Sequence, residues 1–284
     1  MKPSLRILPM AAALFLGTLL AGCGPLEKAF VFPGASSQGR PYAVLPPSAD
    51  YRILSLRTRD GTPIAAQFGL PLDAAGQPQA RRGSAPTVIF FYGNGAFAAA
   101  MASEFQHLRQ LGANALVVEY PGYGMSGGQP GEQAFYAAAD AAYDYLEHQP
   151  DIDGSRIVAA GWSMGAAVAV DLAARHKIAG LVIVNAFTTL PATARALQPW
   201  LPASLVLSSR FDNLAKIRAV TCPILIIHGD RDEIVPPRMS GELEAAARTR
   251  VHSLTIEGAG HNDVFEKGGG ALWEAVGSLV GGSR

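Results

Sequence analysis

The sequence predicts an α/β fold, with a mainly parallel central sheet, helices on both faces and a small cap region. Three observations carry this. From Thr87 onward, short apolar runs alternate with stretches of helical length, the pattern of repeated βαβ units. Most of those runs are continuously apolar, as strands covered on both faces must be. One of them, Ile157–Gly161, passes through Gly161-Trp162-Ser163-Met164-Gly165 straight into the Ala-rich run Ala166 to His176. That is a strand, a very tight turn and a helix, with a serine at the turn.

The first residues stand apart from the fold. Lys2 and Arg6 form a positive n-region, and Met10 to Leu20 form an apolar stretch shorter than the roughly 20 residues a spanning helix needs, which points to an export signal. Leu20-Ala21-Gly22-Cys23 resembles the lipobox of bacterial lipoproteins. The resemblance implies cleavage after residue 22, lipid on the Cys23 thiol and a membrane anchor of several acyl chains. Gly24 follows the cysteine instead of Asp, which in a host with two membranes implies the outer one, facing the periplasm. The expected organisation is a signal peptide over 1–22, a tether and N-terminal segment over 23–50, and one α/β domain over 51–284.

Within that domain, Tyr51 to Thr58 and Pro63 to Phe68 read as two strands joined by the turn signal Asp60-Gly61. The paired Arg81-Arg82 sits in a polar loop and reads as a solvated surface. The remaining strands are expected at Thr87–Tyr92, Ala115–Glu119, Ile157–Gly161, Gly180–Val184, Pro223–His228 and Val251–Glu257. Helices are expected near Ala98–Leu111, Gln133–His148, Gly165–Arg175, Met239–Arg248 and Asp263–Leu279. Residues 187–220 exceed a simple connection and carry Leu197, Trp200, Leu201, Leu205, Val206, Leu207 and Phe211. They suit either a small cap with an acyl pocket or an ordinary helix covering the sheet.

Chemistry-bearing residues fall just past the carboxyl ends of strands, where open α/β sheets bind ligands. Ser163 would project its hydroxyl above the sheet at a helix N-terminus. Gly93-Asn94-Gly95 follows the first core strand and could aim a backbone amide, that of Asn94 or less favourably Gly95, at the same point as the Met164 amide, forming an oxyanion hole. Asp232, with Asp230 as its competitor, is placed to orient a histidine, and His261 lies on the Gly-rich loop Gly258 to Asp263. Asp263 itself reads as the cap of the last helix. The other five histidines show no partner pattern and no metal-ligand spacing, so no metal or cofactor is expected. Cys222 begins a core strand and reads as an inert buried thiol.

The order Ser163, Asp232, His261 is that of the α/β-hydrolase triad. Together with Tyr92-Gly93-Asn94, Glu119-Tyr120-Pro121-Gly122-Tyr123-Gly124-Met125-Ser126-Gly127, Gly229-x-x-Asp232-x-x-Val235-Pro236 and Gly260-His261-Asn262-Asp263, it resembles the bud-emergence-type α/β-hydrolases, a group that includes membrane-tethered protein depalmitoylases. The resemblance runs from about Phe30 to near the C-terminus. It implies an α/β-hydrolase fold and cofactor-free serine hydrolysis of esters or thioesters, on a small-molecule or acylated substrate. Tyr92 stands where the oxyanion loop commonly carries His, which bears on loop support and substrate preference. A prolyl-oligopeptidase-like peptidase and a non-catalytic envelope-binding lipoprotein are the competing readings; the first lacks an extra gating domain here, the second has no need of all three residues. Lys+Arg and Asp+Glu number 23 each, with no basic block, so nucleic acid is excluded as a partner. Two cysteines cannot build a disulfide framework.

Overall fold

The computed structural model describes residues 27–79 and 84–282. The stretch expected to be an export signal, Cys23 and the Arg81-Arg82 pair lie outside the described residues. Eight strands form one sheet: β1 (Arg52–Arg57), β2 (Pro63–Gly69), β3 (Thr87–Phe91), β4 (Asn114–Val118), β5 (Ile157–Trp162), β6 (Gly180–Val184), β7 (Ile224–Gly229) and β8 (Val251–Ile256). Their order is β1-β2-β4-β3-β5-β6-β7-β8. β2 runs antiparallel to both its neighbours, and every pair from β4 to β8 is parallel. The mainly parallel α/β sheet anticipated from the sequence is present.

Every residue of β3, β4 and β6 is buried, as continuous apolar strands between two helical layers must be. The edge strands β1 and β8 instead alternate and expose polar side chains. The Asp60-Gly61 hairpin forms, with Gly61 at φ 85° and the Thr58 N–H donating to Thr62 O at 3.0 Å.

From β3 onward the α-helices among the described residues are α1 (Ala102–Gln110), α2 (Glu132–Glu147), α3 (Met164–Arg175), α4 (Leu190–Leu197), α5 (Ala203–Val206), α6 (Asn213–Lys216), α7 (Arg238–Ala246) and α8 (Val264–Val280). The stretch Ala98–Met101 before α1 is a 3₁₀ turn rather than α-helix. α3 is buried from Met164 to Ala173, and its alanines let it lie close between the sheet and α2. α8 breaks at Gly269, whose φ of 44° and ψ of −131° lie outside helical space and suit only glycine.

The segment before β1 is laid over the domain. Val31, Phe32, Ala43 and Leu45 are buried, and the Phe32 ring packs edge-on to Phe135 at 5.2 Å. Between β6 and β7, α4 and α5 pack against each other and contribute Leu190, Leu197 and Val206 to the cavity that Ser163 also lines, whereas α6 packs against α3 and α7. The stretch 187–220 therefore divides into a small cap and a part of the body.

Candidate active site

The turn between β5 and α3 is held by close backbone approach. A Cβ on Gly161 would lie 2.1 Å from Gly165 O, and one on Gly165 would lie 2.0 Å from Phe91 O. No side chain fits at either position. Ser163 consequently adopts φ 56°, ψ −118°, a conformation that L-residues rarely take, and its N–H donates to Val184 O at 2.9 Å.

The structure brings Ser163, His261 and Asp232 together from three separate strand ends. Ser163 Oγ lies 2.9 Å from His261 Nε2, and His261 Nδ1 lies 2.7 Å from Asp232 Oδ2. All three are buried. Asp232 Oδ1 accepts the Ile234 N–H at 2.8 Å and the Val235 N–H at 2.7 Å, so the carboxylate has no freedom to rotate away. Asp230, the competing candidate, is occupied elsewhere: its Oδ1 accepts the Gly258 N–H at 2.6 Å. This arrangement has the parts to move a proton from a hydroxyl to an imidazole and to stabilise the resulting cation.

Asn94 and Met164 line the same cavity as Ser163, and neither backbone N–H has an acceptor among the described residues. Gly95 lines it too. The Asn94 side chain points away and donates to Val31 O at 2.9 Å, while Asn94 O accepts from Gly34 N–H at 3.0 Å and Tyr123 Oη at 2.9 Å. The loop is thus clamped from the N-terminal segment on one side and the Pro-Gly-Tyr-Gly turn on the other.

Tyr92 takes its place in this support. Its hydroxyl donates to Glu119 Oε1 and accepts the Tyr120 N–H at 3.1 Å, and the Tyr120 hydroxyl returns to Tyr92 O at 2.8 Å. Gly124 is needed here because a Cβ would fall 2.0 Å from Glu119 Oε2. Ser126 Oγ donates to Glu119 O at 3.1 Å and accepts the Ala65 N–H at 2.9 Å. The motif Glu119 to Gly127 is a brace beneath the loop.

Burial pushes the Glu119 carboxyl up to about 7, against the opposing hydrogen bond from Tyr92. The folded state therefore holds this proton more tightly than the unfolded chain, and stability falls as pH rises from the ordinary carboxylate range through about 7. Wild-type protein is expected to lose about 2 kcal/mol from this group between roughly pH 5 and pH 8. Glu119→Gln should flatten that dependence, read as urea midpoints at the two pH values; an unchanged slope would refute the assignment.

Asn185 escaped the sequence reading. It is buried just past β6 with φ 48°, its Nδ2 donates to His261 O at 3.0 Å, and its Oδ1 accepts the Gly229 N–H at 3.0 Å. One amide side chain thereby ties the His261 loop to the strand that leads to Asp232. A usable signal was present: an Asn directly after an apolar strand is a residue that tolerates positive φ. Trp162 adds a second hold, its Nε1 donating to His261 O at 3.2 Å. Asp263 sits at the N-terminus of α8, but its carboxylate accepts the Gly260 N–H and pairs with Lys267 at 2.7 Å rather than capping the helix with its side chain. Cys222 is buried, and burial pushes its thiol up to about 11, as an inert core cysteine requires.

The site opens into a cavity of about 960 Å³, lined by Val31, Trp162, Leu190, Leu201, Val206 and Val235 among others. That lies at the upper end of the roughly 300–1,000 Å³ usual for ligand pockets.

Residues 88–214 match the alpha/beta hydrolase family. An uncharacterized protein of Mycobacterium tuberculosis, Rv2307c, is 32% identical over 274 residues, covering 95% of this chain and 94% of that protein. The chain has the alpha/beta hydrolase fold, and the family match lies within it from β3 to α6. Alpha/beta hydrolase domain-containing protein 17B of Xenopus laevis is 34% identical over 179 residues, covering 63% of this chain and 61% of that protein. Among solved structures, the Pyrococcus furiosus esterase Pf2001 superposes with a TM-score of 0.69 at 19% identity, over 84% of this chain and 94% of the esterase. At that identity the likeness speaks for the alpha/beta hydrolase fold alone.

Proposed function

We propose that this protein is a serine hydrolase that cleaves carboxylic esters or thioesters of acyl chains, held at the cell envelope by lipid on Cys23. The observation that carries the reading is the hydrogen-bonded line Ser163–His261–Asp232 opening into a large, mainly apolar cavity. Ser163 Oγ attacks the acyl carbonyl while His261 Nε2 takes its proton, and Asp232 stabilises the imidazolium. The Asn94 and Met164 N–H groups receive the oxyanion. His261 gives the proton to the leaving alkoxide or thiolate, and the acyl group stays on Ser163. Water, deprotonated by His261, then attacks the acyl-enzyme and releases the carboxylic acid.

One preparation tests both halves. In cells fed an alkynyl fatty acid, the chain should be marked by that label and by a fluorophosphonate; Cys23→Ala should lose the first mark and keep the second. Absence of fluorophosphonate labelling would sink the hydrolase reading, and retention of the fatty-acid label in Cys23→Ala would sink the anchor. On a series of acyl esters and thioesters, kcat/KM should rise roughly threefold to fourfold per methylene until the cavity fills, since each buried CH₂ contributes about 0.8 kcal/mol. Faster turnover of aminoacyl amides than of any ester would favour a peptidase instead.

A further inference from the structure

Exposed apolar side chains gather around the mouth of the cavity. Phe30 is 79% exposed, Trp200 77% and Leu205 82%, with Leu197 beside them. Phe30, Leu197 and Trp200 line the cavity itself, and Leu205 lies on α5, whose following residues Val206 and Leu207 line it as well. A single exposed Leu or Phe is ordinary; several rimming one opening mark a contact surface.

Exposed basic side chains flank the cap, although Glu132 Oε2 accepts the Arg210 N–H at 2.6 Å and Glu233 is exposed next to the cavity-lining Ile234. Residues 196–209 contain no charged side chain, and Arg195 and Arg210 bracket them. Lys28, Arg195 and Arg210 are all exposed. Among the described residues, Glu27 is the only acidic one lining the cavity, and its carboxylate accepts the Ser208 N–H at 3.0 Å and the Ser209 N–H at 2.9 Å. It stitches residues 27–31 to Ser208 and Ser209.

We propose that this rim seats in the surface of a lipid bilayer, with Phe30, Leu197, Trp200 and Leu205 at the edge of the acyl-chain region and Lys28, Arg195 and Arg210 at the level of the lipid phosphates. Trp200 suits that depth, an amphipathic ring whose Nε1 is already satisfied by Gln198 Oε1 at 2.9 Å. The occupant is a membrane rather than a second copy because of where the preceding chain joins the fold. Glu27 stands on the rim, and Cys23 is four positions earlier, a reach of at most about 14 Å. Either the lipid anchor proposed above or the apolar stretch Met10 to Leu20 therefore brings the bilayer to this mouth and not to the opposite face. Docked this way, the cavity opens directly onto acyl chains, and a substrate chain reaches Ser163 without crossing water; that last consequence rests on the hydrolase reading, whereas the docking itself does not.

The test uses the full chain reconstituted into phosphatidylcholine vesicles, with and without bromine near the headgroup end of the acyl chains. The Trp200 component of the fluorescence is the wild-type emission minus that of Trp200→Phe. It is expected to be blue-shifted and quenched about twofold or more by brominated lipid, as an indole at the membrane interface is. In Phe30→Ser/Leu205→Ser, which retains Trp200, the quenching should be at least halved. Trp200 emission that stays red and fully open to aqueous acrylamide would overturn the proposal. A blue shift without bromine quenching would overturn it too, by showing a second copy over the rim. Neither readout involves turnover, so failure of the docking and failure of the hydrolase reading are separable.

Discussion

Ser163→Ala and Ser163→Gly are both expected to abolish hydrolysis, with kcat falling on the order of 10⁶-fold and fluorophosphonate labelling lost, because among the described residues no other hydroxyl is hydrogen-bonded to His261 Nε2. The two variants should differ in stability, and in the direction opposite to the usual one. At an ordinary position, alanine is more stable than glycine by roughly 0.5–1 kcal/mol because glycine has more freedom to lose. At φ 56°, ψ −118°, any Cβ carries strain of about 1–3 kcal/mol, and only glycine escapes it. Both variants lose the same hydrogen bond to His261, so their difference isolates the backbone. Ser163→Gly is therefore expected to exceed Ser163→Ala by about 1 kcal/mol, raising Tm by roughly 2–4 °C in a domain of this size. Urea and thermal unfolding of the pair decide it. An alanine variant more stable than the glycine variant by the ordinary margin of roughly 0.5–1 kcal/mol would mean that the turn stores no strain.

That strain is the part of the site most directly written in the sequence. Gly161 and Gly165 flank Ser163 because β3 and the turn itself crowd both positions, and the need for two residues without side chains is visible as G-x-S-x-G. Strand positions were equally readable. Central strands are covered on both faces, so their apolar runs end within a residue or two of where β3 to β7 end. Asp232 and His261 followed from lying just past β7 and β8, and a parallel sheet delivers all such positions to one end.

What the sequence did not disclose are contacts between segments far apart in the chain that become neighbours only through the sheet order. Tyr92 meets Glu119 because β3 and β4 are adjacent. Asn185 reaches His261 because the end of β6 faces the loop after β8 across β7. Asn94 meets Val31 because the N-terminal segment crosses the Gly93-Asn94-Gly95 loop, which no periodicity encodes. Asp263 shows the converse: its position before a helix predicted a side-chain cap, but the Gly260 N–H and Lys267 compete for the same carboxylate and take it.

Asp232→Asn should cost about 10⁴-fold in kcat/KM while leaving the fold intact, and the geometry says why. The two N–H groups of Ile234 and Val235 both point at Oδ1. In asparagine the amide oxygen must keep that place, since turning the NH₂ toward two donors would leave both unsatisfied in a buried site. The NH₂ is then forced onto His261 Nδ1, which 2.7 Å of separation makes a hydrogen-bond acceptor. The proton moves to Nε2, and Nε2 is the atom that has to accept the Ser163 proton. Ser163 Oγ would lose its proton acceptor without losing a contact. Unfolding midpoints should match the wild type within about 1 kcal/mol, while fluorophosphonate labelling slows in proportion to hydrolysis. Asp230→Asn supplies the contrast: it disturbs only a bond to the Gly258 N–H and should leave turnover within about twofold of wild type. Equal losses in the two variants would mean that the line from carboxylate to serine is not what drives the reaction.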